Sequence, residues 1–330
     1  MTEHPLEPLQ QGPGSGTAVV APPRPAPADE PELSLVYESG LEVEARSQWT
    51  YARKRFLRHR LAMGSLVVLV LILVAGALAS WVAPYRFDGN FPDQAAIGPT
   101  FSHWHLFGTD LLGRDYFSRV IYGIQTSEQV AFLVAGVSTV IGTFVGAIAG
   151  YYGGWVDNAL MRFTDLILTL PLLAVLLTVA AFLGKGNEFR VAFILALLLW
   201  TGLARIVRAS FLSLREKEYV EAARASGSGD LRIMFRHMLP NALGPIIVNA
   251  TLTVGIAILL EAALSFLGFG IQPPTPALGK LISDGQDVSQ SDWWLVTFPG
   301  LTIVLIVLCI NFVGDGLRDA LDPTQRKVRA

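Results

Sequence analysis

Charged residues are scarce in this chain of 330 residues: they make up 16% of it, whereas hydrophobic residues make up 52%. Soluble globular domains contain about 25% charged residues, so this composition excludes an ordinary soluble domain. The formal net charge of −2 gives no reason to expect nucleic-acid binding, which requires a basic surface. Because Cys309 is the only cysteine, an internal disulfide and a CxxC metal site are both excluded.

Motifs for nucleotide binding and hydrolysis are missing as well. The Gly-Lys pairs that end at Lys185 and Lys280 do not lie in the frame G-x-x-x-x-G-K-[ST], so the chain has no P-loop. It has no HExxH motif, and its serines lack the sequence context of a hydrolase nucleophile. His103 and His105 share a loop without a cluster of carboxylates or cysteines, which makes metal binding a weak hypothesis. We therefore predict no catalytic residue, and no metal or cofactor bound by this chain.

The first 45 residues contain little that can form a hydrophobic core. They hold eight prolines and only one Lys or Arg, Arg24. Such a segment buries too little apolar area to offset the entropy of ordering it, so residues 1–45 are predicted to be a disordered tail. No basic region leads into an apolar run near Met1, and a signal peptide is not expected.

Long apolar runs dominate the rest of the sequence. A helix that crosses a bilayer needs about 20 mostly apolar residues. A shorter run, 191–204, is bounded by Arg190 and Arg205, and its length alone indicates a buried or re-entrant segment. The runs that meet the required length are 61–83, 130–150, 166–184, 245–268 and 296–314.

The distribution of basic residues decides whether the short run counts as a span. Lys and Arg are concentrated before the first run, between 205 and 244, and after the last run. Basic loops lie in the cytoplasm, and the 205–244 loop falls on that side only if 191–204 also crosses the membrane. We therefore predict an all-α integral membrane protein with six transmembrane helices and both termini in the cytoplasm. The predicted order is a basic cytoplasmic segment with the first helix (46–84), an external loop (85–128), a five-helix core (129–318) and a cytoplasmic C-terminal tail (319–330).

The cytoplasmic loop, at about 209–241, has the pattern of two short helices. The first, Tyr219–Ser226, is interrupted by Gly227-Ser228-Gly229. Asp230 is predicted to be the N-cap of the second helix, and Pro240 to end it before the fifth span. Amphipathicity alone leaves open whether this helix lies on anionic lipid or docks onto a cytoplasmic partner. Its apolar stripe consists of Leu231, Met234, Phe235, Met238 and Leu239.

The residue identities in this loop resemble the EAA loop of ABC importer permeases. The matching positions are Glu221, Ala222, Ala223, Gly227, Leu239 and Pro240. His237 and Glu128, the latter in YGIQTSE, depart from the usual pattern of the family. The resemblance covers about residues 47–326 and is closest to the C-type subunit of dipeptide and oligopeptide importers. Three further stretches resemble blocks of the dipeptide, oligopeptide and nickel branch: Phe107–Gly123, Ile258–Pro274 and Asn311–Pro323.

The resemblance implies the type I fold of ABC importer permeases and a transport subunit that is not an enzyme. It implies a heterodimer with a paralogous B-type permease, two cytoplasmic ATPase subunits that bind ATP and Mg²⁺, and an external substrate-binding protein, at the bacterial plasma membrane. Di- or oligopeptides are the expected substrates, with nickel or a nickel chelate as the alternative. A passive channel would leave the EAA loop unexplained, and an intramembrane enzyme lacks the catalytic motifs it would need. Coupling to the ATPases is expected at Glu221, Ala222, Ala223, Gly227, Asp230, Leu239 and Pro240.

A second E-A-A tripeptide begins at Glu261, inside the fifth apolar run. A carboxylate there costs about 3 kcal/mol on insertion scales, so Glu261 is expected to face the bundle interior. Its expected role is either a helix–helix hydrogen bond or a part of the pathway or external gate. Unlike the first copy, this second copy is not expected to be followed by a glycine turn that leads into a further helix. Gly142, Gly146 and Gly150 predict close packing of the second span against another helix.

Overall fold

The computed structural model describes residues 48–101, 104–184 and 186–321, and within them the chain is helical, with isolated β-bridges and no strand. The predicted disordered tail and residues 322–330 lie outside that part of the chain. Short 3-10 turns occur at Pro92–Gln94 and Gln286–Val288. The α-helices are α1 (Gln48–Arg58), α2 (Arg60–Ala77), α3 (Ala79–Val82), α4 (Tyr116–Tyr152), α5 (Gly154–Thr169), α6 (Leu172–Leu183), α7 (Glu188–Arg215), α8 (Glu218–Ala225), α9 (Asp230–Arg232), α10 (Leu239–Phe266), α11 (Leu278–Gly285) and α12 (Trp294–Leu321).

The membrane-crossing helices are recognised by their length and hydropathy. Among the described residues, five helical segments meet both criteria: α2, α4, α7, the continuous segment Asp230–Phe266 and α12. The pair α5 and α6 meets them together, which makes six crossings if the pair counts as one span. The all-α architecture is confirmed.

The third predicted span, 166–184, differs from the structure. It straddles a break between α5 and α6, and the two helices meet at a bend of 86°. Pro171 lies at the break, where it lacks an N–H to donate and its ring prevents a continuous helix. Leu170, which precedes the proline, is extended with ψ 139°. The apolar composition of this run therefore does not indicate a straight helix.

The fourth span, which the charge distribution alone supported, is a regular helix of 28 residues, α7. The charges that shortened its apolar run are all accommodated. Arg190 at its first turn donates to the carbonyl oxygen of Leu183 (2.8 Å), and Arg205 forms an ion pair with Asp165 on α5. The predicted span at 191–204 is thus confirmed as part of a helix that is long and apolar enough to cross a membrane.

The segment between α3 and α4 is organised by a buried histidine. His105 Nδ1 lies 2.8 Å from Asp115 Oδ1, and its Nε2 lies 2.6 Å from Gln94 Oε1. Asp115 also caps α4, because its Oδ2 accepts a hydrogen bond from the N–H of Ser118 (2.7 Å). Protein groups therefore occupy both ring nitrogens of His105, whereas His103 lies outside the described residues.

The glycine stripe on α4 packs directly onto the backbone of α7, as predicted. A Cβ atom on Gly142 would lie 2.7 Å from the carbonyl oxygen of Trp200, and one on Gly150 would lie 2.7 Å from that of Arg208. A Cβ on Gly146, between them, would overlap the carbonyl oxygen of Ala204. Only glycine permits this approach.

Gly146→Ala is expected to lower the thermal stability of the purified protein, because the two helices must separate to admit the methyl group. Overpacking of this kind costs about 1–3 kcal/mol, which corresponds to a Tm lower by roughly 3 °C or more. Gly136→Ala, on the same helix with no atom within 4 Å of the new Cβ, is the matched control and should not lower Tm. Equal Tm values for the two variants, by thermal unfolding in detergent, would contradict the packing.

Candidate functional site

The loop between α7 and α10 forms one unit at an end of the helix bundle. It contains α8, a turn at 226–229, α9 and a π-helical turn, Ile233–Met238, which leads into α10. The first predicted helix is confirmed to within one residue at each end. The loop is attached to the ends of α4 and α7 by an apolar cluster of Ala147, Tyr151, Leu203, Val207, Phe211, Val220, Ile233, Met234, Met238, Ala242 and Ile246.

The end of α8 is a Schellman motif, and its geometry selects Gly227. This residue has a φ of +76°. The N–H of Ser228 bonds to the carbonyl oxygen of Ala223 (3.1 Å), and the N–H of Gly227 bonds to that of Arg224 (2.9 Å). A Cβ at this position would meet no atom within 4 Å, so backbone conformation and not space requires glycine. The predicted glycine joint is confirmed.

Two predicted boundaries of the second helix are wrong. Asp230 is the first residue of α9 and not its N-cap, which is Gly229. Pro240 does not end the helix, since the chain continues through it to Phe266. The π-helical turn explains the continuity: its wider turn shifts the backbone hydrogen bonds, so a residue without an N–H fits at the start of α10.

The apolar stripe of the second helix divides into a buried and an exposed side. Met234 and Met238 are 4% and 0% exposed, whereas Leu231 and Phe235 are 67% and 47% exposed. Phe235 contacts Phe144 of α4 edge to face, with ring centroids 6.0 Å apart. The stripe therefore attaches the helix to the bundle on one side and leaves apolar surface open on the other.

Tyr151, near the C-terminal end of α4, contacts both helices of the loop. Its hydroxyl donates a hydrogen bond to Asp230 Oδ1 (2.7 Å). The guanidinium of Arg224, on α8, lies 5.4 Å from the centroid of its ring. The carbonyl oxygen of Tyr151 accepts a hydrogen bond from Nη1 of Arg215, at the end of α7 (3.4 Å). This residue was not predicted from the sequence, where the only signal is the aromatic pair Tyr151-Tyr152 at the end of an apolar run.

The residues predicted to couple to a partner lie mostly on the open surface of this loop. Val220, fully buried, fixes the inner side of α8, and Glu221 and Ala222, which follow it, are exposed. The arrangement presents a carboxylate and small side chains on a firmly held helix, which is suited to docking. Of the predicted set, Glu221, Ala222, Gly227, Asp230 and Pro240 are exposed, and Ala223 and Leu239 are half-buried against the apolar cluster.

Two carboxylates noted in the sequence analysis, Glu261 and Glu128, are buried between helices far from the loop. Glu261 is fully buried and accepts hydrogen bonds from the hydroxyls of Ser127 on α4 (2.8 Å) and Ser265 (2.7 Å). Glu128 packs against α2, where a Cβ on Gly76 would lie 2.6 Å from its Oε1. Glu261 thus makes the expected helix–helix hydrogen bond, and a role in the gate stays a prediction.

The second E-A-A is followed by a glycine turn, but no helix continues from that turn as α9 does after Gly227, since α11 begins only at Leu278. Gly268 has a φ of +84°. The N–H of Phe269 bonds to the carbonyl oxygen of Leu264 (2.9 Å), and the N–H of Gly268 bonds to that of Ser265 (3.2 Å). Both E-A-A tripeptides therefore precede a Schellman motif, but only the first lies on the surface.

Comparison with known families matches two parts of the chain. Residues 142–327 match the family described as binding-protein-dependent transport system inner membrane component. Residues 47–102 match the N-terminal transmembrane domain of oligopeptide transport permease C. Together these matches cover the first span and most of the remaining helical core.

Several curated proteins are similar over most of their length. The dipeptide transport system permease protein DppC of Alkalihalophilus pseudofirmus is 41% identical over 285 residues, which covers 86% of this chain and 93% of that protein. The oligopeptide transport system permease protein OppC of Haemophilus influenzae is 40% identical, with 87% and 92% covered. Among solved structures, a chain of the inward-facing MetNI methionine ABC transporter matches this chain with a TM-score of 0.46 and 20% sequence identity. The match covers 62% of this chain and 96% of the MetNI chain.

Tyr151→Phe is expected to loosen the loop, because it removes the hydroxyl that binds Asp230. Hydrogen bonds to charged groups contribute about 1.5–3 kcal/mol, so amide hydrogen exchange across residues 218–238 should become roughly tenfold faster. Tyr152→Phe is the matched control, since the Tyr152 ring is half exposed and its hydroxyl forms no hydrogen bond within the described residues. Equal exchange rates in the two variants would show that the contact does not hold the loop.

Proposed function

This chain belongs to the family of binding-protein-dependent transport system inner membrane components, and from that premise we propose that it is the C-type permease subunit of an ATP-driven ABC importer for di- or oligopeptides. The names of the relatives, which refer to dipeptide and oligopeptide transport, support this substrate class. The apolar helices support a multi-pass protein of the bacterial plasma membrane. The distribution of basic residues supports a cytoplasmic location for both termini.

The observation that carries the coupling role is the exposure of Glu221 and Ala222 on a helix whose other side, at Val220, is buried. Ala222 has a small side chain, which allows a partner backbone to approach closely. Glu221 beside it offers a carboxylate for charge-assisted hydrogen bonds. Val220 and Tyr151 attach the same region to the bundle, so a partner that grips α8 also grips the membrane helices.

Coupling then follows from the connections of the loop. α8 follows α7 directly, and the second helix of the loop continues into α10 without a break. Closure of the ATPase pair would displace the loop and rotate α7 and α10 as rigid bodies, which alternates access to the pathway. The chain has no P-loop, so ATP and Mg²⁺ are bound by the two ATPase subunits and this subunit is not catalytic.

The pathway itself requires two further partners. A paralogous B-type permease would form the other half of the pathway, and an external substrate-binding protein would deliver the peptide. Lipid surrounds the exposed apolar faces of the helices. His105 offers no free ring nitrogen for nickel, because its two ring nitrogens lie against Asp115 and Gln94.

Gly227→Ala is expected to reduce uptake of labelled dipeptide severalfold, because a side chain in the left-handed conformation costs about 1–2 kcal/mol and deforms the joint. Gly227→Pro should abolish uptake, since proline requires a φ near −65°. Glu221→Lys should uncouple transport in the same way by reversing the exposed charge. Each variant should still insert in the membrane.

The matched control is Gly229→Ala, two residues further along the same turn. Gly229 has a φ of −68°, and a Cβ there meets no atom within 4 Å, so alanine should be tolerated. Undiminished uptake by the Gly227→Pro importer, at a normal amount of protein in the membrane, would rule out the coupling role.

A further inference from the structure

A charged pocket lies at the end of the bundle opposite the coupling loop. Tyr116, at the first residue of α4, lines this pocket, whereas Tyr151 at the other end of the helix contacts the loop. The pocket has a volume of about 570 Å³, within the range of about 300–1,000 Å³ typical of sites for small molecules. The charge distribution used above places it on the external side of the membrane. Its charged lining residues are Asp110, Arg114, Arg119, Lys280, Asp284 and Asp287.

The inner wall of the pocket carries an excess of positive charge. Asp110 Oδ2 accepts hydrogen bonds from Arg114 Nε (2.7 Å) and Arg119 Nη1 (2.6 Å). Its Oδ1 accepts the backbone N–H groups of Leu112 and Arg114, each at 2.9 Å. Two guanidinium groups therefore share one carboxylate whose oxygens are already engaged. Within the described residues, neither arginine forms an ion pair with any other carboxylate.

The inner wall of the pocket lacks a hydrogen-bond acceptor for one of its buried donors, on Arg119. Its side chain is 6% exposed, and its Nε–H has no hydrogen-bond partner in the part of the chain that the structure describes. A buried charged donor without a partner costs free energy, because it has lost its hydration. An additional anion in the pocket would offset the excess charge beside Arg114 and Arg119.

The mouth of the pocket has the opposite sign. Lys280 pairs with Asp284 on α11 (2.7 Å), which leaves that pair neutral. Asp287, beyond the end of α11, is exposed and forms no ion pair within the described residues. The pocket thus has a cationic inner wall and an anionic mouth.

We propose that this pocket binds the two charged termini of a short peptide, with the α-carboxylate against Arg114 and Arg119 and the α-ammonium toward Asp287. The inference rests on the proposed function, from which it takes the substrate class. Planar guanidinium groups match the geometry of a carboxylate, and a zwitterion matches the two signs of the pocket. An acidic side chain of a docking protein would satisfy only the inner wall.

The test is direct binding of the dipeptide Ala-Ala to the purified full-length chain in lipid nanodiscs, without ATP or binding protein. Ala-Ala should bind saturably. Ala-Ala-amide, which lacks the carboxylate, should bind at least about tenfold more weakly, and N-acetyl-Ala-Ala should also bind more weakly. Absence of binding, or equal affinity for the free and amidated dipeptides, overturns the proposal.

Substitutions test which terminus of the peptide binds at the inner wall of the pocket and which binds at its mouth. Arg114→Gln should weaken Ala-Ala binding and remove the preference over the amide, and Asp287→Asn should remove the preference over the N-acetyl form. Arg86→Gln is the control, because Arg86 is an exposed cation outside the pocket, paired with Asp88. If Arg114→Gln leaves Ala-Ala binding intact and weakens binding of the loaded binding protein to the importer, the pocket is a docking site and the proposal is overturned.

Uptake by the complete importer separates this inference from the proposed function. Normal uptake of Ala-Ala in cells, combined with no binding to the purified chain, overturns the pocket alone. Absence of uptake of both Ala-Ala and a labelled pentapeptide, by an importer that is assembled and hydrolyses ATP, overturns the proposed substrate class. The assignment of the pocket to a peptide is then overturned as well.

Discussion

The attachment of α8 to the helix bundle is the constraint on which a coupling role depends. Val220 is fully buried among side chains of α4 and α7, and Tyr151 binds Asp230 while its ring lies beside Arg224. A surface helix transmits a displacement only if it cannot move independently of what it is joined to. Here both ends of the loop lead directly into membrane helices, and in the proposed coupling a movement of its exposed face would be passed on as a rigid-body rotation.

Sequence patterns predicted the features that local chemistry determines and missed those that packing determines. α8 and the Gly227 joint depend on helical spacing and on one left-handed residue, both visible in the sequence. The same residue type has opposite outcomes at two positions. The helix is broken and bent at Pro171, whereas it continues through Pro240, which follows a π-helical turn. The hydrogen bond between Tyr151 and Asp230 joins residues 79 positions apart, and no local pattern indicates it.

α4 connects the two regions to which we assign functions. It has 37 residues, so it extends about 55 Å at 1.5 Å per residue. Its first residue, Tyr116, lines the charged pocket, and its glycine stripe packs against α7. Near its other end, Tyr151 contacts the loop. In the proposed mechanism, α4 would therefore relate a movement of the loop to the geometry of the pocket.

The most direct test of docking by α8 is chemical crosslinking from a single exposed cysteine at position 222. The native cysteine, Cys309, is buried and contributes little background. In membranes that contain the complete importer, Ala222→Cys should crosslink to the ATPase subunit, whereas Ala95→Cys, exposed at the opposite end of the bundle, should not. Crosslinking of position 222 to lipid or to other proteins, with none to the ATPase, would contradict the proposed coupling site.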